Sequence, residues 1–302
     1  MVVTKLDEII YLAKSIAKKR LVAVYANDSH TIEAVYKAVE AGIVDATLTG
    51  DREIITKVCD DLQIDINKFE ILDYSDAIEA GFGSIDLIQS GKAQLIMKGA
   101  ISTDDFMRCI LNKERGLLEP GSLLTHVTVI EPTGYHKLLI VGDVAVIPAP
   151  TIDQKEKILH FLIDTAHKLG IEEPLVALIV PSEKPSPKIP SSADAMELVS
   201  RAERGVFQKS IFAGPMGLDL AIDPESVEIK GYKSPVAGNA DIILFPNIEA
   251  GNVFYKTATK FLKAELGAMM VGCKVPVILS SRGDSTMTKL YSIALAAVTV
   301  NN

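Results

Sequence analysis

Short apolar runs recur along the chain with helix-length amphipathic stretches between them, and this alternation restricts the fold more than any other feature. Residues 21–25 (LVAVY) read as a buried strand, and the cluster Asn27-Asp28-Ser29 reads as a turn and helix cap. Ile32, Val35, Ala38 and Val39 then mark one helical face. Residues 46–49 form the next strand, with Gly50-Asp51 opening another helix; residues 69–72 and 94–97 supply two more strands, the last after a helix ending near Gly91. Strands separated by helices of this length pair in parallel, because a parallel pair needs a long crossover and a helix supplies it. The expected class is therefore α/β.

The pattern changes after Pro120. Residues 127–131 and 137–141 flank Pro132-Thr133-Gly134, which predicts an antiparallel hairpin. Alternation then resumes with a helix over 153–169 stopped by Gly170, and a strand over 176–180. The four prolines between 181 and 190 mark a loop leading directly into a helix for which Ser191 or Ser192 is the expected cap. Residues 211–213, 242–245 and 275–279 are the later strands. At 302 residues the chain exceeds the usual size of one core, so two domains are expected.

Composition narrows the function classes. Although 48% of residues are hydrophobic, no stretch reaches the roughly 18 uninterrupted apolar residues of a bilayer span, and the N-terminal 20 residues read as an amphipathic helix rather than a signal peptide. A cytoplasmic protein without a membrane partner is expected. The net charge of −8 argues against nucleic acid as partner but leaves anionic small molecules open, since a pocket can be locally basic. Cys59, Cys109 and Cys273 stand far apart, so neither a disulfide framework nor a metal-binding cysteine pair is predicted, and no resident metal is expected. There is no HExxH, P-loop or GxGxxG. His30, His136, His160 and His167 suit surfaces or helix faces, and His126 suits a hydrogen-bonded structural position beside a strand.

Three segments place polar residues and glycine where strands end, which in open α/β sheets is where ligands bind. The first is MKGAISTDDFMR, residues 97–108. Gly99 permits a tight turn, Ser102 or Thr103 can cap the next helix, and Lys98 and Arg108 add positive charge to a helix start suited to anions. An ordinary cap with a surface arginine accounts for it equally well. The second, residues 245–256, runs from a strand through Asn247 and Asn252 into an apolar helix with Lys256 near its start; it also reads as a simple turn. The third, LSSRGDS at 279–285, delivers Ser281, Arg282 and Asp284 within a few positions: a hydroxyl donor, a planar guanidinium for phosphate and a proton acceptor. A capped turn with a local Arg–Asp pair is the plainer alternative.

Taken together, MKGAISTDDFMR, DVAVIPAPT (143–151), AGPMGLDLA (213–221), PNIEAGNVFYK (246–256) and LSSRGDS resemble the phosphate acetyltransferase and butyryltransferase family, in family order and closer to its butyryl-type members. The resemblance implies a two-domain, three-layer α/β/α fold of isocitrate and isopropylmalate dehydrogenase-like architecture. Residues 1–120 plus 269–302 would form a noncontiguous first domain and 121–268 the second, with the active site in the cleft between them and a homodimer as the assembly. It further implies transfer of a short acyl group between coenzyme A and inorganic phosphate, with coenzyme A as substrate and no tightly bound cofactor. Ser281 and Arg282 match the family's active-site pair, and Arg108 matches an arginine that helps hold substrate or coenzyme A. Asp284 is the acid nearest that pair, whereas acetyl-type enzymes carry theirs a few residues further on. Ala213 stands where those enzymes favour aspartate. In this reading Arg282 neutralises phosphate, Ser281 donates to the carbonyl oxygen and Asp284 takes the thiol proton, a transfer that asks for desolvation of the carboxylate. Three other functions remain open. One is the acetyl-specific reaction; another is a metal- and NAD-dependent decarboxylating dehydrogenase built on Asp219, Asp223 and Asp241. The third is a noncatalytic acyl-CoA binding module.

Overall fold

The computed structural model describes residues 2–279 and 284–300. In chain order its elements are α1 (Leu6–Ser15), β1 (Lys19–Val24), α2 (Ser29–Glu40), β2 (Val44–Gly50), α3 (Arg52–Asp61), β3 (Phe69–Asp73), α4 (Ala77–Gln89), β4 (Leu95–Lys98) and α5 (Thr103–Ile110). There follow β5 (Thr125–Glu131), β6 (Leu139–Gly142), α6 (Ile152–Lys168), β7 (Leu175–Ile179), α7 (Pro190–Glu203), β8 (Ile211–Met216), α8 (Leu218–Ile222), α9 (Pro224–Lys230), β9 (Ile242–Leu244) and α10 (Ile248–Lys256). The chain ends with β10 (Glu265–Val271), β11 (Val277–Ile278) and α11 (Thr286–Thr299).

Two compact units result. One comprises Asp7–Leu124 with Gly267–Asn302, the other Met1–Leu6 with Thr125–Leu266. The first six residues thus go with the second unit, where the Val3 N–H donates to the Leu169 carbonyl at 2.9 Å and the Leu6 N–H to Glu131 at 2.9 Å. The first unit orders its strands β3-β2-β1-β4-β11-β10, parallel from β3 to β11, with β10 antiparallel to β11. All four residues of β4 are buried, and since successive side chains point to opposite faces, both faces of the sheet are covered. The chain runs outward from β1 to β3 and then returns to the other side of β1 as β4. Such a reversal, at the carboxyl ends of β1 and β4, is where open α/β sheets form their ligand crevice.

The caps explain why these helices begin where they do. Asp28, Asp51, Asp76 and Ser102 each accept a backbone N–H of the first turn of α2, α3, α4 and α5. Gly272, in the turn between β10 and β11, has a φ of +100°, and a Cβ there would fall onto the Leu123 carbonyl. Gly272→Ala is therefore expected to destabilise the protein by about 1–3 kcal/mol, read as a lowered thermal midpoint; an unchanged midpoint would contradict it.

In the second unit the order is β5-β6-β9-β7-β8, with the predicted antiparallel hairpin β5–β6 at one side and parallel pairing elsewhere. Its second strand starts at Leu139 rather than 137, because the intervening residues serve as an anchor. Tyr135 Oη donates to the Ala240 carbonyl at 2.9 Å, and Lys137 pairs with buried Asp241 at 2.7 Å. Three expectations need correction. Helix α7 starts at Pro190 with Ile189 as its cap residue, and Ser192 instead accepts the Ser186 N–H at 3.1 Å. The strand expected over 275–279 narrows to Val277–Ile278, Pro276 having no N–H to offer the ladder. Strand β10 was not anticipated.

Candidate active site

The carboxyl edge of the first unit's sheet carries the first sequence segment, after β4, beside the end of β11 that leads into the third. Val24 lies opposite Lys98 in the β1–β4 pair, and Ile278 opposite Met97 in the β11–β4 pair, so all three strands end side by side. The turn after β4 hugs the end of β1: Gly99 and Ala100 donate to the Val24 and Tyr25 carbonyls at 2.9 and 2.8 Å. A Cβ on Gly99 would sit 2.6 Å from the Val24 oxygen, so only glycine fits this approach. Lys98 is buried, at 5% exposure, with its ammonium donating to the Gly99 carbonyl at 3.2 Å. Ser102 is the cap of α5, accepting the Asp105 N–H at 3.0 Å and donating to the Asp105 carboxylate at 2.8 Å, while Thr103 is the first helical residue. Arg108 pairs with Asp105 at 3.0 Å and stays 67% exposed, which leaves its guanidinium able to turn toward another anion at little loss. Asp284 is half-buried one residue ahead of Ser285, the cap of α11. Ser281 and Arg282 lie outside the described residues.

The second unit carries the other segment at the carboxyl ends of β6 and β9, which are neighbours. Here the organiser is Asp143, a residue to which sequence reading assigned no role. Its carboxylate, 4% exposed, accepts the N–H groups of Ala145, Val146 and Ile147 at 2.8, 2.9 and 3.1 Å and the Thr125 hydroxyl at 3.0 Å. Four charge-assisted hydrogen bonds fix the loop after β6 as a rigid block. Helix α10 then packs onto that block. A Cβ on Gly251 would meet the Asp143 carbonyl at 2.7 Å, and Asn252 Nδ2 donates to the Val144 carbonyl at 3.0 Å. Asn247 caps α10, accepting the Ala250 N–H at 3.1 Å. Asn247 and Asn252 thus both make structural hydrogen bonds at α10, each using part of its amide's capacity.

Lys256 departs from expectation. It is the last residue of α10 rather than near its start, exposed, with its ammonium 5.1 Å from the Tyr255 ring centre. Gly251 and Asn252 read as helix breakers in sequence, whereas glycine sits inside the helix because the Asp143 carbonyl is too close for a side chain. His126 is buried on β5, with Nδ1 2.9 Å from the Thr128 hydroxyl, as a structural histidine would be.

Electrostatics separate the remaining candidates. Burial pushes the thiols of Cys59 and Cys109 up, and that of Cys273 up to about 12, so none is poised as a nucleophile. The three acids of the dehydrogenase alternative have separate structural tasks. Asp219 pairs with Lys230 at 2.7 Å, Asp223 caps α9, and Asp241 binds Lys137 and the Leu175 N–H. Among the described residues no three His, Cys, Asp or Glu side chains gather as metal ligands.

Each of the two α/β units has glycine-mediated close approaches and capped helix starts at the carboxyl ends of parallel strands, the class of architecture in which open α/β sheets hold ligands. Comparison with known proteins then places the chain. The family model for phosphate acetyl/butaryl transferase matches residues 78–297. The chain is 40% identical to the phosphate butyryltransferase of Clostridium acetobutylicum over 98% of each sequence. It is 36% identical to the phosphate acetyltransferase of Thermotoga maritima over 97% of this chain and 99% of that one. The crystal structure of a branched-chain phosphotransacylase from Enterococcus faecalis superposes with a TM-score of 0.80 at 30% identity, covering 93% of this chain and 98% of that one. The chain belongs to the phosphate acetyl/butaryl transferase family.

Proposed function

We propose that this enzyme transfers a butyryl or branched short-chain acyl group between coenzyme A and inorganic phosphate, with Ser281, Arg282 and Asp284 at the reacting centre. The observation that carries the reading is the near-full-length identity to a phosphate butyryltransferase, higher than that to the acetyl-type relative. In the forward direction a phosphate oxygen attacks the thioester carbonyl carbon, the C–S bond breaks, and acyl phosphate and coenzyme A leave. Arg282 offsets the charge of phosphate as it nears the carbonyl, with Arg108 and Lys98 adding positive potential, and Ser281 donates to the developing oxyanion. In reverse, Asp284 takes the thiol proton as sulfur attacks the acyl phosphate and phosphate departs. Ser102, Thr103, Asn247, Asn252 and Lys256 supply hydrogen bonds and charge for the substrates.

The same reading includes a cytoplasmic homodimer. Apolar surface is available for a second copy at Phe261, 83% exposed, and at Leu262 beside it. The test is phosphate-dependent release of coenzyme A from acetyl-, propionyl-, butyryl- and isobutyryl-CoA. The butyryl and isobutyryl substrates are expected to exceed acetyl in kcat/KM by on the order of 10–100-fold, one or two methylenes' worth of apolar binding. A preference for acetyl would shift the assignment to the acetyl-specific reaction.

A further inference from the structure

Helix α11 opens with a cation where helices favour an anion. Its first turn holds no acidic residue, yet Lys289, its fourth residue, stands there against the positive end of the helix dipole. Lys289 is only 3% exposed. Among the described residues no hydrogen bond or ion pair reaches its ammonium. The acid that α2 brings to this turn is otherwise engaged: Glu33 accepts from Thr286 Oγ1 at 3.2 Å and from Lys37 at 2.8 Å, and the Lys37 contact holds its carboxyl below the usual range. Ser285, the cap, takes the N–H groups of Thr288 and Lys289 through its hydroxyl and carbonyl at 2.9 and 3.2 Å.

At 3% exposure the aliphatic stem of Lys289 lies in the core. Helical side chains lean toward the N-terminus, so a lysine at the fourth position is directed toward the opening turn of α11, where the first N–H groups of a helix lack partners within it. That turn follows β11, whose carboxyl end lies beside β4 and the Lys98–Gly99 turn. An unpaired ammonium held at a helix start on a buried stem lowers stability, and an anion bound there would offset that cost.

We propose that Lys289 is a substrate-binding residue whose ammonium takes a phosphoryl oxygen at the N-terminus of α11. The inference rests on the acyl-transfer reading, which supplies two sources of phosphoryl groups: inorganic or acyl phosphate, and the phosphates of coenzyme A.

The test uses Lys289→Met, which keeps the length of the stem, with Lys289→Gln as a second variant in case the first fails to fold. Three readouts are compared with the wild type: the ligand-free thermal midpoint, its rise with inorganic phosphate and separately with coenzyme A, and the KM for each substrate. Without ligand, removal of the unpaired charge should raise the midpoint, by about 2–4 °C for a chain of this size. The rise with one phosphoryl ligand should disappear, and KM for that same ligand should increase on the order of ten- to a hundredfold, as loss of a charged hydrogen bond implies. Loss confined to phosphate assigns the site to the transferred phosphoryl group, and loss confined to coenzyme A assigns it to the cofactor-like tail; either supports the inference. Unchanged ligand responses and KM values in both variants, with or without a fall in the ligand-free midpoint, would overturn it and leave the acyl-transfer reading intact. If the wild type shows no phosphate-dependent turnover, that reading fails, and the midpoint responses to phosphate still decide the role of Lys289.

Discussion

Arg282→Ala is expected to lower phosphate-dependent release of coenzyme A from butyryl-CoA by on the order of 10²–10³ in kcat, with Ser281→Ala falling in the same range. The reasoning is electrostatic. Phosphate and the carbonyl oxygen of a thioester both gain or hold negative charge as they approach, so a positive group beside them lowers the barrier. A guanidinium binds a tetrahedral anion through two parallel N–H donors, which orients the attacking oxygen as well as offsetting its charge. A serine hydroxyl whose hydrogen bond strengthens only as the oxyanion forms acts on kcat rather than on KM. Single-site kinetics with both substrates varied would check this. Near wild-type turnover in both variants would remove Ser281 and Arg282 from the reacting centre.

The second large effect is expected at Asp143. Asp143→Ala leaves three backbone N–H groups and the Thr125 hydroxyl without their acceptor at a 4%-exposed position. Buried donors stripped of a charged partner cost about 3–5 kcal/mol in total, so the thermal midpoint should fall by about 10 °C. Asp143→Asn preserves the shape and some of the acceptor capacity, and should fall between the two. Because α10 rests on this loop through Gly251 and Asn252, activity should drop with stability in both variants. An alanine variant as stable as the wild type would show that the loop holds itself without the carboxylate.

How much of this was legible in sequence depended on how local each signal was. The strands of the first unit stood out because short runs such as 46–49 end at glycine and aspartate, and Asp51 proved to be the cap of α3. The family's motifs placed the chain correctly because five separated wordings fell in order. Strand β10 was hidden because ELGAMMV has neither alternation nor β-branched residues until its last position, and its place depends on pairing with β11. Lys256 was misplaced because Gly251 was read by its propensity, while the structure uses it for a close approach to another loop, a tertiary fact. Asp143 escaped for the same reason. Its three backbone partners follow within four residues, so Gly-Asp directly after an apolar strand was a usable signal, but its burial and its bond to Thr125 were not visible. Lys289 looked like any helical lysine until its surroundings were known.

The account turns on acyl transfer to phosphate, and stoichiometry tests that most directly. Wild-type protein given butyryl-CoA and inorganic phosphate should form one hydroxylamine-reactive acyl phosphate for each coenzyme A released, and release should stop when phosphate is left out. Release of coenzyme A that continues without phosphate and yields free acid would contradict it.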